Sequence, residues 1–152
     1  MIILGLNAFH ADSSAALVRD GTLVAAAEEE RFRRFKHWSG FPSQAIDYCL
    51  REAGLKLKDI DYVAFNQDST VNVGRKALYF LTHHPDFSLV MGRIRNRKAR
   101  GSIPDLLRES FPGQTLRAEI APVEHHLAHL SSAFHVSPFN EAAVVSVDGF
   151  GD

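Results

Sequence analysis

The sequence predicts an α/β protein built on one mixed, five-stranded sheet with helices on its faces. Three observations predict it. Residues 2–28 read as three short strands in succession, the last two joined by Asp20-Gly21. From residue 42 onward, apolar residues at helical spacing alternate with β-rich runs. The resulting order, βββαβαβα with one more strand after it, places three antiparallel strands ahead of alternating helices and strands, and such a chain covers a mixed sheet with helices.

"IILGLN" at 2–7 is an apolar β-rich run that stops at Asn7. "SAALVR" at 14–19 and "TLVAAAE" at 22–28 flank Asp20-Gly21, a hairpin signal because both residues tolerate positive φ. In "PSQAIDYCLREAGL", Pro42 lies near a helix start, Ala45, Ile46, Cys49, Leu50 and Ala53 share a face, and Gly54 ends the segment. "DYVAFNQ" at 61–67 is the fourth strand. Residues 71–100 are helical or irregular, and residues 102–111 form a short helix with Ser102 as its cap and Pro104 in its first turn. "TLRAEIAPV" at 115–123 is the fifth strand, distorted at Pro122, and a histidine-bearing helix covers 125–135. "AAVVSVDGFGD" then reads as a buried strand entering a glycine-rich turn, with no returning strand behind it. That ending predicts two units: a first lobe over 1–139, and in 140–152 the first strand and phosphate-loop turn of a second lobe.

Composition removes several function classes. With 152 residues and a net charge of −1, the chain suits one ordinary domain, and no global field recruits nucleic acid or an acidic membrane. A single cysteine, Cys49, allows no internal disulfide; its place on an apolar helix face marks a buried structural thiol. The start "MIILGLNAFHADSS" lacks a signal peptide's basic opening, and no apolar run is long enough to span a bilayer, so a cytoplasmic setting is expected. The one basic stretch, "RIRNRKAR" at 93–100, would put Arg93, Arg97 and Arg100 on one helix face, but no aromatic residue interleaves them. A solvated surface is the better reading, and nucleic acid is not an expected partner.

"VEHHLAHLSSAF" at 123–134 carries the chemistry. On a helix, His125 and His129 project from one face on adjacent turns and can take neighbouring positions on one metal ion. His126 points away, and Leu127, Leu130, Ala133 and Phe134 supply a packed face. The spacing alone also fits histidines that merely cover a helix. An imidazole pair leaves a divalent ion short of ligands, and Asp148, at the end of an apolar strand beside Gly149, is a natural carboxylate donor; it equally fits a plain turn residue.

Four segments, "LGLNAFHADSSAAL", "EEERFRRFKHWSGFP", "VEHHLAHLSSAFHVSPF" and "VSVDGFGD", run in this order from residue 4 to residue 152. Together they resemble the front part of the O-carbamoyltransferases of antibiotic and nodulation-factor biosynthesis, whose N-terminal lobe is an actin-like ATPase (ribonuclease H-like) lobe. The resemblance implies transfer of a carbamoyl group from carbamoyl phosphate, through an ATP-derived carbamoyl-adenylate, to a hydroxyl of a small molecule. It implies a divalent metal, described in the family as iron, on His125, His129 and Asp148. It places the loop with His10 and Asp12 in the cleft, where His10 is suited to take the acceptor hydroxyl's proton. Lys36 and His37 match a position near the donor phosphate, ahead of Arg31, Arg33 and Arg34. Gly149 and Gly151 let backbone N–H groups approach a phosphate. Each of these segments also has a plain reading, as a polar hairpin loop or a solvated charged run.

Two other functions stay open at this level. One is a threonylcarbamoyl-type enzyme acting on tRNA, although "ERFRRFKH" and "DGFGD" fit the small-molecule branch better. The other is a non-catalytic fragment that binds metal or nucleotide, or supports assembly. An interlobe cleft needs two walls, so the isolated 152-residue chain is expected to be inactive without a C-terminal portion, and its last strand invites self-association.

Overall fold

The computed structural model of the chain describes residues 1–9, 12–66 and 101–147. Its centre is a five-stranded sheet in the order β3-β2-β1-β4-β5, formed by β1 (Ile2–Asn7), β2 (Ser14–Arg19), β3 (Thr22–Glu28), β4 (Tyr62–Phe65) and β5 (Glu119–Pro122). The first three strands are antiparallel, whereas β4 runs parallel to β1 and β5 parallel to β4. The predicted bounds of β1, β2 and β3 are met. Asp20 and Gly21 form the two-residue turn with φ of 49° and 81°, the positive values that a type I′ hairpin requires.

Alternation decides the sheet's two faces. Leu4, Leu6, Ala15, Leu17, Ala25 and Val63 point one way and are buried. The helix α2 (Ser43–Ala53) lies on this face and buries Ala45, Ile46, Cys49 and Leu50, the predicted stripe. Gly54 closes it at φ +66°, with the N–H groups of Gly54 and Leu55 donating to Arg51 and Leu50. A short helix, α3 (Ile103–Ser110), adds Ile103 and Leu107 to the same core, and Ser102 accepts from the Asp105 N–H as the expected cap. A single helical turn, α1 (Glu30–Arg33), precedes α2, and α4 (His125–Phe134) follows β5.

Three expectations are corrected. The fifth strand is Glu119–Pro122 rather than 115–123, because only four residues reach the edge of β4. Residues 142–147 are not a buried strand: they pair with no strand among the described residues, and Val144, Val145 and Val147 are exposed. A β-rich run supplies propensity but not a partner, and without a ladder it forms no strand. On α4, no residue is fully buried and Leu127 is exposed, so the expected packed face of Leu127, Leu130, Ala133 and Phe134 is not formed. The segment 71–100, with Arg93, Arg97 and Arg100, lies outside the described residues. Among those described, no helix is long and apolar enough to cross a membrane.

Candidate functional site

The opposite face of the sheet carries small or polar residues at its centre: Gly5 and Asn7 on β1, Ser14 and Ala16 on β2, Ala26 on β3. With no bulky side chain there, an open cleft of about 1030 Å³ forms between this surface and one side of α4. His125, Ala128, His129 and Ser132 line it from the helix; Asn7 and Asn66 line it from the ends of the parallel strands β1 and β4. Ligands of open α/β sheets collect at such carboxyl ends.

The predicted pair meets there. The Nε2 atoms of His125 and His129 are 3.2 Å apart and the two rings stand at 89°. With metal–nitrogen bonds of about 2.0–2.1 Å, the pair would subtend about 100° at a shared ion, within the range of tetrahedral and octahedral sites. The two imidazoles therefore fit a metal. Among the described residues no group of three His, Cys, Asp or Glu side chains is placed to hold one. Asp148, Gly149 and Gly151 lie outside the described residues, as does His10. Val147, which precedes Asp148, lines a hollow of about 300 Å³ together with His129. Ser146 sits 3.2 Å from Nδ1 of His126, so the histidine that turns away from the pair ties this last segment to α4.

Glu124 sets the first turn of the histidine helix. Its carboxylate accepts from the N–H groups of His126 (3.0 Å) and Leu127 (2.7 Å), and these bonds hold its pKa below the usual carboxylate value. Sequence reading missed Glu124, because glutamate is not among the preferred caps.

A second cluster forms where the β1–β2 loop meets residues 34–41. Ser13 donates from Oγ to the Gly40 carbonyl (2.8 Å) and from N to that of Trp38 (2.9 Å). This seam brings Asp12 and His37 together, Oδ1 to Nδ1, at 2.9 Å. Both residues adopt positive φ, 62° and 56°, a costly conformation for residues other than glycine that persists only where surroundings impose it. The Asp12 carbonyl also accepts from Asn7 Nδ2 (3.1 Å), which joins the pair to the cleft wall. Lys36, next to His37, is exposed. Arg31 lines the cleft, and Arg33 serves structure instead.

Arg33 belongs with a residue that sequence reading also missed. Glu29 is completely buried; it accepts from Arg33 Nε (2.7 Å) and from the N–H groups of Ala45 (2.8 Å) and Gln44 (3.3 Å). Those amides open α2, whose N-terminal neighbour Pro42 supplies no cap, so Glu29 caps the helix from 15 and 16 residues upstream. The Arg33 guanidinium lies 4.3 Å over the ring of Trp38. Within "EEERFRRFKHW", Glu29, Arg33 and Trp38 are thus docked on the fold, while Arg31, Arg34, Phe35, Lys36 and His37 remain exposed.

Residues 2–152 match the family described as carbamoyltransferase N-terminus. The chain is 40% identical over 99% of its length to an uncharacterized protein of Synechocystis sp.. It is 36% identical over 96% to the nodulation protein NolNO of Sinorhizobium fredii, and 32% identical over 99% to an uncharacterized protein of Methanocaldococcus jannaschii. It spans only 26%, 20% and 23% of these three relatives' own lengths. By the match over nearly all of its residues, the chain belongs to the carbamoyltransferase family, in the family's N-terminal part.

Proposed function

We propose that the chain is the first, actin-like lobe of an O-carbamoyltransferase that moves a carbamoyl group from carbamoyl phosphate, through an ATP-derived carbamoyl-adenylate, to a hydroxyl of a small molecule. The observation that carries this reading is the convergence of two imidazole nitrogens, 3.2 Å apart, on a cleft in a chain of this family. The strand order β3-β2-β1-β4-β5, antiparallel and then parallel, supports the lobe assignment. A small acceptor rather than tRNA follows from the resemblance of "ERFRRFKH" and "DGFGD" to the small-molecule branch, and a cytoplasmic setting fits the buried free thiol.

His125, His129 and Asp148 would hold a divalent ion, iron by resemblance; such an ion supplies Lewis acidity toward a carbamoyl or phosphate oxygen when bound. Glu124 holds the turn that carries His125 in place through its two backbone bonds. Asp12 orients the His37 ring, and Lys36 beside it brings an ammonium toward the donor phosphate. By the same resemblance, the N–H groups of Gly149 and Gly151 would serve as donors to that phosphate. In the transfer itself, the acceptor oxygen bonds to the carbamoyl carbon, the carbon–oxygen bond to the adenylate phosphate breaks, and AMP leaves. His10 receives the acceptor's proton. Turnover belongs to the longer polypeptide, since the relatives extend far beyond the span matched here.

The test is mass spectrometry of a hydroxylated small-molecule panel incubated with ATP, carbamoyl phosphate, ferrous iron and a polypeptide of the relatives' length that carries this chain. One acceptor gains a carbamoyl group as AMP is formed, and His125→Ala abolishes both. Transfer undiminished in His125→Ala refutes the proposed site.

A further inference from the structure

Residues 142–147 pass beside the histidine helix with neither a ladder nor a packed side to fix them. They pair with no strand among the described residues, and Val144, Val145 and Val147 are exposed. Among the described residues, the one hydrogen bond that the segment makes joins Ser146 Oγ to His126 Nδ1, 3.2 Å apart and partly buried.

That contact lies next to the imidazole pair. Successive residues of an α-helix are turned by about 100°, so His126 holds its partner beside His125 rather than across the cleft. The rings of His125 and His126 are 5.7 Å apart at 78°. His129 lines both the cleft and the hollow of about 300 Å³ that Val145, Ser146 and Val147 wall. Asp148 follows Ser146 by two residues, and a fully extended chain spans at most about 7 Å over that length. Whatever fixes Ser146 therefore limits where the Asp148 backbone can go.

We propose that His126 is a positioning residue: through Ser146 it docks the chain just ahead of Asp148 on α4, and so delivers that carboxylate to the ion shared by His125 and His129. The inference rests on the reading of Asp148 as the third ligand and adds a role for the histidine that does not join the pair. A carboxylate on an undocked tail must be ordered at the moment of binding, which costs affinity. One whose neighbours are already held has less freedom to lose. Groups that orient ligands in this way contribute about 10–100-fold to metal affinity.

The experiment is a cobalt(II) titration of the 152-residue chain, followed by the ion's visible absorption. It compares wild type with His126→Ala, Ser146→Ala, Asp148→Ala and the double variant His126→Ala/Asp148→Ala. Wild type is expected to bind cobalt, and Asp148→Ala to bind it more weakly. His126→Ala and Ser146→Ala are each expected to weaken binding by about tenfold or more. In the Asp148→Ala background, His126→Ala is expected to change affinity by less than about twofold, because no carboxylate is left to deliver. A merely structural role would lack that dependence, since damage to α4 weakens the histidine pair whether or not Asp148 is present. Ser146→Ala, alone and with Asp148→Ala, leaves the helix sequence intact and carries the same comparison if His126→Ala fails to fold. Unchanged affinity in His126→Ala or Ser146→Ala, an equal loss with and without Asp148, or an Asp148→Ala protein as tight as wild type overturns the inference and leaves the histidine pair as a metal site. A wild type that binds no cobalt overturns the metal site, and the inference with it.

Discussion

Replacing Glu29 by alanine removes a carboxylate that is wholly inside the fold. Three partners lose it. The buried Ala45 N–H is left without an acceptor, a loss of about 1–3 kcal/mol. Gln44, with its longer bond at 3.3 Å, adds less. Breaking a fully buried ion pair by deleting one partner costs about 3–5 kcal/mol, but Arg33 keeps 31% of its side chain in solvent, so only the lower part of that range applies. These contributions overlap, and the expected loss is about 3–4 kcal/mol. Glu29→Gln keeps an acceptor oxygen and the side-chain volume but gives up the charge, so about half that loss is expected. Urea denaturation measures both. Trp38, the sole tryptophan, stacks under Arg33 and provides a local emission probe in the same experiment. A shift below about 1 kcal/mol in Glu29→Ala, with Trp38 emission unchanged, would refute the view that a buried acid organises this segment.

Other perturbations follow the same contacts. A Cβ on Gly40 would lie 2.8 Å from the Trp38 ring, so Gly40→Ala displaces that ring and the Arg33 stack; a loss of about 1–3 kcal/mol in urea and a red-shifted Trp38 emission are expected. Burial pushes the Cys49 thiol up to about 11, so it resists alkylation at neutral pH unless the chain unfolds. Because the folded value exceeds the ordinary value of 9.0, this thiol's contribution to stability is whole below about pH 9 and declines as pH rises toward 11. Comparing thermal unfolding of wild type and Cys49→Ala across that window isolates the effect. Glu124→Ala frees two amides at the head of α4, and weaker metal binding with lower helicity by circular dichroism is expected; unchanged affinity would show that the cap does not position His125.

What the sequence disclosed follows the range over which each feature is encoded. β2 and β3 were legible because alternation and the Asp20-Gly21 turn lie within a dozen residues. The imidazole pair was legible for the same reason: on a helix, a spacing of four residues sets direction. Glu28, Glu29 and Glu30 are indistinguishable as letters, and only the packing of α2, whose amides lie 15 and 16 residues away, selects the middle one for burial. The Asp12–His37 contact spans 25 residues and needs positive φ at both ends, which no local pattern announces. The apolar run 142–147 pairs with no strand among the described residues, since propensity does not specify a pairing partner. His126 was read only as pointing away from the pair; its contact with Ser146 spans 20 residues and depends on where that last segment lies.

The central claim is that α4 is a ligand helix, and metal titration of the 152-residue chain beside a His125→Ala/His129→Ala variant tests it most directly. The account predicts saturable binding of one ferrous or substitute divalent ion per chain, lost in the variant, with both proteins equally folded by circular dichroism. Binding that is undiminished in the variant, or absent from the wild type, would contradict it.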